Sequence, residues 1–458
     1  MKKIFGIITL TLLLFNLGCK KDSEFLDIPP KQIIPEEVAF SDPALVLSIL
    51  GDLYNRQLDF SGLDNGWRSF ADFSESFPSE NGSYFLVQRT GWGYGEWGVN
   101  WFDSYAYIRD LNLFIARDSA ASKLSVSDKS RFLAEGRFLR ANFYFEMVKR
   151  MGGVPLILQS LTYDLKGDAT YLRTPRAKES EIYDFVINEA EAIKNDLPSG
   201  GDKSRATKAA ALAMESRAAL YAGSIAKYGA STPQVSLPGG EVGIDASKAN
   251  GYYTIALRAA EEIITGTAGT YKLYQVLPNL SDNFAAIFLD KSTVNQESIW
   301  IEDFRAGSGG GKVHNFTVND QPFSNSDEGD DAGRLNPSLN LMEQFEKLDN
   351  TFAPFATGTQ SSPAFYTERQ DIFAGRDARL AGTALLPGDY FKSGQIDIWA
   401  GYVLADGSVI TSDNAVNLKT LPGGATPVQV VGKDGPVPGL QLRSQSGFYL
   451  RKYLDPTT

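Results

Sequence analysis

Apolar residues recur at helical spacing through most of the first 270 positions of the chain. Trp101, Tyr105, Ile108 and Asn112 stand four, three and four apart, which places them on one face of a helix. Phe138, Ala141, Phe145 and Val148 repeat the pattern in a second helix, which stops at Gly152-Gly153 with Pro155 beyond. Two more helices are predicted, over residues 179–197 before Pro198 and over 207–221, where alanines suit close helix–helix contact. Tyr253, Ala256, Ala260 and Ile263 give the same spacing ahead of Gly266. An earlier helix is predicted within residues 35–59, with Leu45, Leu47, Ile49 and Leu53 as its buried stripe. Paired helices with small residues at their contacts predict tetratricopeptide-like hairpins stacked into a superhelix.

The pattern breaks twice. Residues 60–100 are rich in Gly, Ser and aromatic side chains and show no clean period. From about Tyr271 onward Gly, Pro and Thr multiply, and helical periods fade after Asn350. Residues 297–303 read as a short strand, ahead of the glycine-rich stretch 306–311. The fold class is therefore mainly α, a tetratricopeptide-like α/α superhelix with an irregular, loop-rich second domain containing short strands. The predicted divisions are 1–18 as a signal peptide, 19–34 as a lipidated N-terminus and tether, and 35–270 as the helical scaffold with an aromatic loop insertion at 60–100. Residues 271–458 form the irregular ligand-side domain.

The N-terminus sets the compartment. Lys2 and Lys3 precede an apolar run from Ile4 to Leu17, and Leu17-Gly18-Cys19 ends it as a lipobox-like site. The run is shorter than the ~20 residues that span a bilayer. Cys19 is the only cysteine in 458 residues, so no disulfide can form within the chain, and lipidation gives the residue a role. Several acyl chains would anchor it firmly, at ~0.8 kcal/mol per buried methylene.

Charge and residue inventory narrow the function. The formal net charge is -11 with no basic cluster, which excludes a nucleic-acid binder as the leading reading. One histidine and one lipidated cysteine leave no Cys-His or zinc arrangement, and no cofactor is indicated. Gly307-Ser308-Gly309-Gly310-Gly311 is followed by Lys312-Val313, not by the Lys-Ser/Thr of a phosphate-cradling loop. Asp327-Glu328-Gly329-Asp330-Asp331 lacks EF-hand spacing and reads as a solvated acidic loop, so no metal site is assigned.

Several segments together resemble the SusD/RagB family of outer-membrane lipoproteins. They are Cys19 followed by Phe25-Leu26-Asp27 and Pro30; Trp101, Tyr105, Ile108 and Asn112; and Ala134-Glu135-Gly136-Arg137-Phe138-Leu139-Arg140-Ala141 continuing to Tyr144-Phe145 and Gly152-Gly153-Val154-Pro155. Ala206-Thr207-Lys208-Ala209-Ala210, Asn295-Gln296-Glu297-Ser298-Ile299-Trp300 and Arg376-Asp377-Ala378-Arg379-Leu380 follow in order. The resemblance implies a helical superhelix carrying an irregular ligand-bearing domain. It also implies a TonB-dependent outer-membrane transporter as partner, on which the lipoprotein sits facing the exterior. Members bind oligosaccharides and pass them on, and some handle peptides instead. They usually continue past a segment like Gly447-Phe448-Tyr449-Leu450-Arg451-Lys452-Tyr453 into further C-terminal helices, whereas this sequence stops at Thr458.

Glycan binding needs flat apolar faces beside oriented polar groups, because a sugar ring has a C–H face and a rim of hydroxyls. Four of the six tryptophans, Trp67, Trp92, Trp97 and Trp101, fall in the aromatic-dense region. Trp92, Tyr94 and Trp97 alternate with glycines, which argues against a packed core and for a binding platform. Trp101 belongs to the helix pattern and reads as core. Trp67, Arg68 and Asp72 form a second candidate cluster; Asn100 is a further polar candidate, although a helix cap explains it as well. His314 could reach the site from the second half. The expected role is cell-surface capture of nutrient oligosaccharides, without catalysis. A peptide-capturing member of the family, a paired-carboxylate glycosidase and a purely structural transporter lid stand as alternatives.

Overall fold

A computed structural model describes residues 36–57, 76–78, 104–304, 313–326, 332–359, 361–413, 416–438, 440 and 442–457. Its first half is a run of helices: α1 (Glu36–Ala39), α2 (Pro43–Asn55), α3 (Ser104–Ala120), α4 (Val126–Met151), α5 (Glu179–Ile193), α6 (Lys208–Gly229) and α7 (Ala249–Ile264). From α3 onward each packs on the next, and α2 packs on α4. Helix starts follow the capping rule. Asp42, Ser125 and Thr207 accept backbone N–H bonds from Ala44, Asp128 and Ala210, and Pro43 occupies the first helical position. Glu181 reaches back to the backbone N–H of Lys178 at 2.9 Å and starts α5.

The helical spacings predict most of the packing. Ile108, Asn112, Phe138, Ala141, Phe145 and Val148 are all buried, and the alanines of α6 line its contacts with α5 and α7. Two expectations are corrected. The buried stripe of α2 is Val46, Leu50 and Leu53, while Leu47 is 41% exposed. Residues two apart on a helix do not share a face, so Leu45, Leu47 and Ile49 could not form one stripe. Residues 297–303 also form no strand. They run as an irregular segment whose Trp300 packs edge-on against Phe138 at 4.9 Å and donates its indole N–H to Ser204.

The segments that carry the family resemblance do structural work. Glu135 is completely buried and accepts from Tyr54 at 2.8 Å, Arg131 at 3.0 Å and Arg205 at 3.0 Å, joining α2, α4 and the entry to α6. Arg137 grips Glu189 of α5 through two N–H bonds. Arg140 donates to Asn112, to the carbonyl of Leu158 and to Glu189. Tyr105, Asn112 and Tyr144 then hold the carbonyls of Pro155 and Ile157, so this one set of residues pins the chain leaving α4. Gly152 ends the helix at φ 69°, and a Cβ on Gly153 would lie 1.9 Å from the Ala177 carbonyl oxygen. Gly136 lets α3 approach, since a Cβ there would lie 2.7 Å from the Phe114 ring.

Among the described residues one carboxylate is buried with both of its oxygens unpaired. Asp118, near the end of α3, is fully buried and neither carboxylate oxygen has a hydrogen-bond partner. The nearby Lys129 ammonium donates to the Ala121 carbonyl instead, at 3.1 Å. Burial pushes the Asp118 carboxyl up to about 6, against the weaker pull of Lys129. A carboxyl whose folded pKa is raised binds more protons in the folded chain, so stability falls as pH rises from the ordinary carboxylate range through 6. Asp118→Asn is therefore expected to stabilise the chain by roughly 1–3 kcal/mol at pH 8, with the gain shrinking toward pH 4. Urea unfolding of both proteins across that range measures it, and a gain independent of pH would contradict the assignment.

The second half carries short helices and, among the described residues, takes part in six two-stranded pairings, one of them with a strand of the first half. Phe316, Leu335, Leu385, Phe391, Ile396, Ile398, Tyr449 and Leu454 form its main core. Bonds between side chains and distant backbone tie it together. The buried Asp434 carboxylate accepts from the Ser324 N–H at 2.7 Å, the Ser324 hydroxyl at 2.6 Å and the Asp397 N–H at 2.8 Å. Asn336 accepts from the Gln445 N–H and donates to Gly333. Arg376 donates to the carbonyls of Phe345 and Ala353 and stacks on Phe355 at 4.4 Å, so the last resemblance segment is structural as well.

Candidate ligand-binding site

The aromatic segment predicted to bind ligand is tied to the fold at three places. It leaves the end of α2, re-enters at Ser104 of α3, and between these pairs with the second half. There β1 (Ser76–Pro78) runs antiparallel to β2 (Leu335–Pro337), with Ser76 opposite Pro337, Phe77 opposite Asn336 and Pro78 opposite Leu335. Leu335 and Asn336 are themselves fixed, the first in the main core and by an N–H bond to Asp320, the second by its bonds to Gln445 and Gly333. Trp67, Arg68 and Asp72 precede this anchor in the chain, and Trp92, Tyr94, Trp97 and Asn100 follow it. All seven lie outside the described residues, as do Cys19, Trp101 and the acidic run 327–331.

His314 is the one predicted ligand residue that the structure places. It is exposed, and its ring meets Phe304 edge-on at 4.6 Å and Phe316 at 6.4 Å. Its Nδ1 accepts the Phe316 N–H at 3.2 Å. That bond fixes which ring nitrogen faces the backbone and turns Nε2 away from it. Phe316 belongs to the same core as Leu335. His314 therefore stands on the same body of the second half that anchors β1.

A separate cavity of about 200 Å³ opens where the α5–α6 connection meets the chain after α7. Ser199, Lys203, Thr207, Tyr271, Thr293 and Asn295 line it, and Lys203 donates into the Asn295 carbonyl. Burial lowers the Lys203 pKa. His314, the one candidate ligand residue among the described residues, does not line this cavity. No group of three His, Cys, Asp or Glu side chains able to hold a metal occurs among the described residues. No helix among them is long and apolar enough to cross a membrane.

Comparison with known proteins places this architecture. Residues 24–220 match the sequence model of a SusD-like family described as starch-binding and associating with the outer membrane. A SusD-like protein of Bacteroides ovatus is 26% identical over 219 residues, covering 46% of this chain and 38% of that protein. The chain thus aligns with well under half the length of that relative. Among solved structures, a SusD-like protein from Bacteroides fragilis superposes with a TM-score of 0.61 at 24% identity, covering 92% of this chain and 70% of its own. A SusD-like carbohydrate-binding protein from the same species gives 0.61 at 19% identity, with 92% and 69% covered. The solved structures share the fold across nearly all of the chain, and residues 24–220 are similar in sequence to SusD-like proteins.

Proposed function

We propose that the chain is a non-catalytic carbohydrate-binding protein of the bacterial outer membrane, lipid-anchored through Cys19 and facing the exterior. It captures oligosaccharides and delivers them to a TonB-dependent transporter. The observation that carries this reading is the match of residues 24–220 to a family described as starch-binding and associated with the outer membrane. The Gly-Trp and Gly-Tyr alternation of residues 91–97 supports it, because stacking on a sugar ring asks for aromatic faces outside a packed core. The anchoring of β1 on β2 supports it too, since it holds the middle of that segment against a rigid body. Many such anchored sites on one cell gain from effective concentration even where each is weak.

A screen of the purified chain against oligosaccharides and peptides tests the reading, with Trp92→Ala and Trp97→Ala alongside. Each substitution is expected to weaken oligosaccharide binding about tenfold, the factor given by ~1.4 kcal/mol of lost stacking. Peptide binding that both variants retain would replace the carbohydrate reading with the peptide-capturing one.

A further inference from the structure

Trp399 and Tyr402 form an aromatic pair on the second half, remote in sequence from the predicted ligand residues. Along residues 396–399 burial alternates: Ile396 and Ile398 are buried, while Asp397 and Trp399 are only partly so. Alternate residues of an extended chain face opposite sides, so Asp397 and Trp399 share the outward side. The backbone fixes them there. The Gly432 N–H donates to the Trp399 carbonyl at 2.9 Å and the Asp434 N–H to the Asp397 carbonyl at 3.1 Å. A Cβ on Gly432 would lie 2.0 Å from the Asp397 carbonyl oxygen and 2.7 Å from Trp399 Cδ1, so the indole edge rests on bare backbone. The Tyr402 ring stands 5.5 Å from the Trp399 ring at 69°, and Tyr402 is 39% exposed.

The polar tips of this pair are unused. Among the described residues neither the Trp399 indole N–H nor the Tyr402 hydroxyl has a protein partner. Beside them the Asp397 carboxylate accepts the Lys433 backbone N–H at 3.0 Å and faces the Arg369 guanidinium loosely, at 3.5 Å. An ion pair that long and that exposed adds little to stability. Its lone pairs and N–H groups remain open to a third party.

We propose that Trp399 and Tyr402, flanked by Asp397 and Arg369, form a carbohydrate subsite that takes one pyranose ring of a neutral oligosaccharide. The inference rests on the carbohydrate reading above and adds a place of binding to it. A pyranose lays its C–H face on the indole. Its rim hydroxyls then meet the Tyr402 hydroxyl, the Asp397 carboxylate and the Arg369 guanidinium, which together offer both donors and acceptors. A neutral sugar fits because Asp397 and Arg369 offset one another and leave no net charge to pair.

The test titrates the purified full chain with oligosaccharides from starch, xylan and mannan, and repeats the titration with Trp399→Ala, Tyr402→Phe and Arg369→Gln. Trp399→Ala is expected to weaken binding about tenfold, and the two conservative changes by about two- to fivefold each. Tyr402→Phe and Arg369→Gln touch only exposed groups and keep the packing, so they decide the matter if Trp399→Ala fails to fold. Oligosaccharide binding that is unchanged in every folded variant overturns the subsite and leaves the carbohydrate reading standing. A folded wild-type chain that binds none of the oligosaccharides overturns both.

Discussion

Replacing Glu135 by alanine is expected to destabilise the folded chain by about 3–5 kcal/mol, the usual cost of removing one partner from a buried ion pair. The side chain is completely inaccessible and serves three donors on three parts of the helical scaffold. Its loss strands the Arg205 guanidinium, whose side chain is only 19% exposed, and the Tyr54 hydroxyl beneath it. Tyr54 also accepts the Ala206 N–H at 2.8 Å, so the entry to α6 loosens with it. Burial, then the nearby Glu135 charge, holds the Tyr54 phenol well above its ordinary pKa, so it stays a neutral donor across the working pH range. Urea unfolding at neutral pH reads the loss. A double variant with Arg205→Ala should cost less than the sum of the two single changes, because both delete one shared network. A cost for Glu135→Ala below about 1 kcal/mol, the worth of an exposed pair, would contradict this account of the motif.

The second large effect is expected in the other half of the molecule. Asp434→Ala removes one carboxylate that accepts three hydrogen bonds from Ser324 and Asp397. Bonds to a charged acceptor contribute more than neutral ones, and donors left without partners add their own penalty, so the expected loss is about 2–4 kcal/mol. It should also be local. Hydrogen exchange should show the amides of Ser324 and Asp397 losing protection while those of α4 and α6 keep theirs, since the two halves have separate cores. Because Asp397 helps to form the proposed sugar subsite, Asp434→Ala should weaken oligosaccharide binding as well. Uniform loss of protection across both halves would show instead that the chain unfolds as one unit.

These two sites also show what could be read from the sequence. The helical half was legible because its core obeys a local rule: Phe138, Ala141, Phe145 and Val148 meet their neighbours at the spacing that places them on one face. The rule misleads in α2, where Leu45, Val46, Leu47, Ile49 and Leu50 crowd six positions and allow two competing stripes. The second half follows no period. Asp434 reaches Ser324 across 110 residues, and Asn336 reaches Gln445 across 109. Pairings that distant leave no trace in local spacing.

The functional residues divide in the same way. The segments that resemble SusD-like proteins hold the scaffold together, so Glu135, Arg137, Arg140 and Arg376 mark the fold and not the ligand. The cue that pointed to Trp92, Tyr94 and Trp97 was composition, and those side chains lie outside the described residues. Trp399 does not stand out in the sequence, because its surroundings read as loop. The alternation of Ile396, Asp397, Ile398 and Trp399 was the available signal, too short to stand out as a strand.

Affinity electrophoresis of the purified chain through gels containing starch and other polysaccharides tests the central claim most directly. The account predicts that at least one polysaccharide retards the chain, that the retardation is lost in Trp92→Ala with Trp97→Ala, and that the polysaccharide is recovered at its original length. A folded chain that no polysaccharide retards, or one that shortens the polysaccharide it meets, would contradict it.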